Sequence, residues 1–70
     1  MKLLTAIKKA NKKAEQSHGA VRFFINRKSG QEKISDWWWI EVNLEDIKID
    51  GQFSIEDLLS NDWILEKDVV

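Results

Sequence analysis

The chain has no cysteine and no proline, one histidine and three glycines in 70 residues. Each shortage closes off some chemistry. Without cysteine there are no disulfides and no thiolate metal ligands. His18 alone does not make a zinc or iron site. Three isolated glycines match neither common phosphate-cradling template. No apolar run approaches the roughly 20 residues of a membrane span, and MKLLTAIKKANKK meets lysines too early for a signal-peptide core. A soluble cytoplasmic protein with no membrane partner is expected. Catalytic groups are scarce as well. A nucleophile needs a base and an orienting group within reach, and no spacing around His18 suggests such a triad. Glu45-Asp46 and Glu56-Asp57 are paired carboxylates, but adjacency in sequence does not converge two side chains on one point. The composition predicts a protein that is not an enzyme and holds no cofactor or metal.

What remains is one small domain, residues 1–70, with two surpluses. The first is polarised charge. Residues 1–33 carry nine Lys or Arg against two Glu, a net of +7, whereas residues 34–70 carry two Lys against ten Asp or Glu, a net of −8. Three readings are open: solvated lysines on a helix face, steering of an anionic ligand, or head-to-tail pairing of two copies. The overall charge of −1 argues against nucleic acid as a partner. Chains of this length bury only about 60% of the surface exposed when unfolded, so a homo-oligomer, dimer or tetramer, is expected.

The spacing predicts an α+β fold: an N-terminal amphipathic helix on a small antiparallel sheet, then a short second helix and a closing strand. Leu3, Ile7, Ala10 and Ala14 share one helical face over residues 3–17, with Gly19 at the left-handed position that ends the helix. Residues 20–27 (AVRFFINR) switch to period two, with Val21, Phe23 and Ile25 facing one way and Arg22, Phe24 and Asn26 the other. A turn at 28–31 leads to an aromatic run over 34–44, its hairpin partner. There Trp38, Ile40 and Val42 share one face, opposite Trp37, Trp39, Glu41 and Asn43. A short strand at 47–49 ends at Asp50-Gly51. Ser54 and Asp57 form an acidic capping box for a helix over 55–60, with Phe53 and Leu58 as its hydrophobic staple and Asn61 as a left-handed stop. Residues 63–66 read as the closing strand.

Tryptophan is the second surplus, four in 70 residues. Trp37, Trp38 and Trp39 cannot share one strand face. Trp37 and Trp39 form either an apolar patch covered by the second helix or another copy, or a stacking platform for a planar base. Arg22 alternates with Phe24, and its planar fork suits a phosphate, although a simple surface arginine is the commoner case.

The stretch from Phe53 to Glu66, F-S-I-E-D-L-L-S-N-D-W-I-L-E, resembles the closing motif of a family of short phage and prophage proteins. Their ending is an aliphatic or aromatic residue, then S-x-x-D-L-L-A-x-D-W, then an acidic tail. The better-known branch is the second type of Thoeris anti-defence protein. Some 14 residues match, and beyond them only the order of elements. Ser60 replaces the usual alanine. Where the family shows R-R-x-S-W, Arg22 fits the arginine but no tryptophan follows. The resemblance implies a small oligomeric sponge in the host cytoplasm, sequestering a cyclic ADP-ribose-like signal or a cyclic oligonucleotide. Arg22, Asp57, Asp62 and Trp63 would be the ligand-binding positions carried over, joined by Phe24, Trp37 and Trp39 from the chain's own pattern. Read on their own, Asp57 is a helix cap and Trp63 is core. The alternative expectation is a protein-binding inhibitor of a host defence protein or nuclease, acting through the acidic half and the tryptophans.

Overall fold

Small side chains on one face let Leu3–Gln16 lie close against a sheet as helix α1, and Ala6, Ala10 and Ala14 are fully buried there. In a computed structural model that describes residues 1–28 and 39–69, with the backbone alone at Trp39 and Val69, α1 is followed by β1 (Val21–Arg27), β2 (Trp39–Asn43), β3 (Asp46–Asp50), α2 (Ile55–Leu59) and β4 (Trp63–Val69). The fold is α+β. Its four strands are antiparallel in the order β3-β2-β1-β4, so the last strand returns to lie beside the first. The expected turn at 28–31 beyond Lys28, the first part of the aromatic run, and Trp37 and Trp38 lie outside the described residues.

α1 ends differently from the expectation. The N–H of His18 bonds to Glu15 O (3.0 Å) and that of Gly19 to Ala14 O (3.1 Å), the paired bonds of a Schellman motif. That places His18 itself at the first left-handed position (φ 53°), with Gly19 following at φ 81°. Gly19 then lies against Leu44, where an added Cβ would come within 3.4 Å of Leu44 Cδ2.

The period-two pattern of β1 sends Phe23 and Ile25 into the core, where they pair across the ladder with Val42 and Ile40 of β2. Trp63 completes this cluster with Ala6 and Ala10, and full burial of such side chains contributes about 1.5–3 kcal/mol each. The core is therefore one layer between α1 and the sheet. Among the described residues, no helix packs on the opposite sheet face.

β3 is one of the two outer strands, and all five of its residues are exposed. α2 opens with the expected capping box: Ser54 Oγ accepts from the Asp57 N–H (3.1 Å), and Asp57 Oδ2 accepts from the Ser54 N–H (3.1 Å). Phe53 tilts against Trp63 with ring centroids 5.8 Å apart, while Leu58 is 46% exposed. Asn61 is not left-handed. The helix ends because Ser60 swings to an extended conformation (φ −70°, ψ 158°), its N–H still held by Asp57 O, and the chain runs straight into β4.

Candidate functional site

On the helix-free face, the β1 alternation presents Arg22 and Phe24, and the ladder register sets Glu41 of β2 opposite Phe24 and Asp68 of β4 opposite Arg22. Arg22 donates through Nη1 to Glu41 Oε1 (3.1 Å) and through Nε to Asp68 Oδ2 (2.7 Å), and its guanidinium lies 5.1 Å over the Phe24 ring. Glu41 is a buried carboxylate. Its second oxygen accepts from Asn43 Nδ2 (2.6 Å), so both oxygens are satisfied, as burial of a charge demands. The three charges sum to −1. An anion arriving at Arg22 meets two carboxylates already in place.

A second cluster gathers the motif positions. Arg27, at the end of β1, grips Asp62 bidentately through Nε (2.7 Å) and Nη2 (3.1 Å) and reaches Asp57 Oδ1 through Nη1 (2.5 Å). Ser60 Oγ donates to Asp62, and the buried Trp63 indole N–H donates to Asp57 O (3.0 Å). The two carboxylates hold the Arg27 guanidinium proton far more firmly than usual. The Asp57 pKa is lowered, first by the hydrogen bond from the Ser54 backbone and next by Arg27. Asp57, Asp62 and Trp63 are thus brought together, but around a side chain that the sequence reading had not singled out. Only the long-range pairing of β1 with β4 makes Arg27 the partner.

All four ion pairs among the described residues join the basic first half to the acidic second half, and all four use arginine. The described lysines form none of these pairs. Lys13 and Lys67 meet at a cleft of about 290 Å³ between the C-terminal part of α1, β1 and β4, with Gln16, Ser17, Val21 and Phe23 as its other walls. Lys13 Nζ lies 5.8 Å from the Phe23 ring centroid. Among the described residues neither lysine forms an ion pair. A wider cleft of about 360 Å³ on the other flank of α1 is lined by Ile7, Lys8, Asn11, Val42 and residues 45–47.

Ser17, the neighbour of His18, is spent locally: its hydroxyl donates to Ala14 O (2.9 Å) and accepts from the Val21 N–H (3.2 Å). Among the described residues no group of three or more His, Cys, Asp or Glu side chains could hold a metal ion, and no helix is long and apolar enough to cross a membrane. Trp37 and the Trp39 side chain lie outside the description; the Trp39 backbone pairs with Asp50. No family model, curated protein or solved structure matches the chain.

Proposed function

We propose that this chain is a non-catalytic binding protein that sequesters a phosphate-bearing nucleotide signal, cyclic ADP-ribose-like or a cyclic oligonucleotide, with Lys13 and Lys67 on the phosphates. The observation that carries this reading is that two lysines from separate elements line one cleft, with no carboxylate among the described residues paired to either. A lysine left without an acidic partner binds a phosphate as a point charge without first giving up an ion pair. The likeness of residues 53–66 to the phage family supplies the ligand class. In this reading Asp57, Asp62 and Trp63 hold the fold around Arg27, and Arg22 with Phe24 and the tryptophans supplies the base-stacking side. Phe24 and Lys13 lie on opposite faces of the sheet, so one chain does not offer both to one ligand. A second copy completes the pocket.

The test is a thermal-shift panel of cyclic ADP-ribose isomers and cyclic oligonucleotides. A ligand at 100 times its Kd stabilises by about 2.7 kcal/mol, which for a domain of this size is a rise of roughly 10–20 °C in Tm. Lys13→Glu combined with Lys67→Glu abolishes the rise and leaves the ligand-free Tm in place. A flat response across the panel refutes the proposal.

A second reading, a protein-binding inhibitor, draws on α2. Ile55 and Leu59 are 76% and 77% exposed, beside Glu56 in the acidic half, the apolar-and-acidic surface that a basic protein partner would cover. Co-purification with a host protein, lost on Leu59→Ser, supports it over the first.

A further inference from the structure

The two outer strands of the sheet differ in what they offer. β4 is engaged at its start, where the Trp63 N–H donates to Met1 O (2.9 Å) and the Met1 amine donates to Trp63 O (3.1 Å). β3 has β2 on one side and, among the described residues, no strand on the other, and all five of its residues are exposed. Its helix-side residues, Ile47 and Ile49, pair with the core residues Val42 and Ile40, yet they are 42% and 63% exposed. Leu4, on α1, is 62% exposed. An edge with open backbone groups and exposed isoleucines is a template for another strand.

We infer that β3 docks against β3 of a second copy, the two strands antiparallel about a two-fold axis through Ile49, so that two four-stranded sheets become one of eight. The strand sequence Asp46-Ile47-Lys48-Ile49-Asp50 selects this partner and this register. A two-fold axis perpendicular to the sheet keeps each side chain on its own face, so it pairs only residues separated by an even number. Centred on Ile49, Lys48 of each copy lies opposite Asp50 of the other, giving two opposite-charge pairs, while Ile49 meets Ile49 on the helix side and Ile47 meets Gly51, which has no side chain to obstruct it. Centred on Lys48, the lysines face each other and Asp46 faces Asp50, so every charged pair repels. Centred on Ile47, Lys48 would also meet Asp46, but the next pair sets the side chain of Glu45, held at φ 59° in the tight turn, against Ile49, whereas the Ile49 register ends on Gly51, which at φ 94° has no side chain to clash. β4 has no comparable solution. Lys67 is flanked by Glu66 and Asp68 at odd spacing, so no two-fold register sets it opposite either.

This pairing does not depend on the nucleotide reading, and its test uses the whole chain without ligand. Sedimentation velocity gives a dimer for the natural chain and for the Lys13→Glu, Lys67→Glu variant. Asp50→Lys alone and Lys48→Asp alone each weaken dimerisation at least tenfold, with circular dichroism confirming that the monomers are folded. The double variant Lys48→Asp, Asp50→Lys restores the dimer, because it exchanges the two charges within the same pairs; in the register centred on Ile47 it leaves acidic side chains facing each other at 46 and 48, and in that centred on Lys48 the single change Asp50→Lys would strengthen the dimer instead of weakening it, by setting a lysine opposite Asp46. Since the chain lacks cysteine, Ile49→Cys reports the axis directly by forming an intermolecular disulfide on oxidation, where Ile47→Cys does not. A monomer at all concentrations, a dimer indifferent to both single changes, or cross-linking through position 47 instead of 49 overturns the inference.

Discussion

His18 holds a backbone conformation that its side chain opposes. A non-glycine residue in the left-handed region costs roughly 1–2 kcal/mol, and His18 sits there at φ 53° because the Schellman bonds of α1 require it. His18→Gly is therefore expected to stabilise the protein by about 1 kcal/mol once the extra freedom of glycine in the unfolded chain is subtracted. Thermal denaturation should show a rise of roughly 4–8 °C. The sequence pointed one residue too far, to Gly19, because glycine is the strongest local signal for this conformation, and only the hydrogen-bond pattern reveals the offset. The arginines were harder to read. Arg22 and Asp68 are 46 residues apart, Arg27 and Asp62 are 35 apart, and nothing local announces either pairing.

At the scale of elements, what rests on local periodicity was legible and what rests on partners was not. α1, β1 and the capping box of α2 follow from spacing alone. β4 extends to Val69, beyond the expected 63–66, since Glu66, Lys67 and Asp68 lack an apolar alternation and are held as strand only by Phe24, Phe23 and Arg22 of β1. Of the proposed site, Asp57 was legible as a cap, whereas the lysine cleft needed α1 and β4 placed side by side. The cap also carries a pH dependence. The Asp57 pKa is lower folded than unfolded, so the unfolded chain binds its proton first, and the stabilisation is present above the ordinary carboxylate range and lost as pH falls through it. Asp57→Asn is expected to lower Tm at neutral pH and to flatten the fall in Tm between about pH 5 and 2, measured by circular dichroism. An unchanged acid limb would mean that other carboxylates carry it.

Across the whole molecule, the acidic half meets the basic half through Arg22 and Arg27, while the described lysines stay outside that closure. Trp63 is where the closure is tightest. Its backbone is bracketed by Met1, its indole is buried between Phe53 and the core, and its N–H is given to Asp57 O. Trp63→Phe keeps an aromatic ring but removes one of the two donors to the Asp57 carbonyl, leaving only the Ser60 N–H, and opens a small void beside it. The expected cost is about 1–3 kcal/mol, read from urea unfolding at unchanged m-value.

The return of β4 to β1 also bears on the order of folding. α1, β1, β2 and β3 assemble from neighbours in sequence, but the β1–β4 ladder joins residues 21–27 to residues 63–69, and that long loop must close before its contacts reward it. Docking of β4, which closes the longest loop, is thus expected to come late in folding. Until it happens the inner edge of β1 stands open, and that interval, rather than the finished fold, is when a newly made chain is exposed to pairing with the wrong strand.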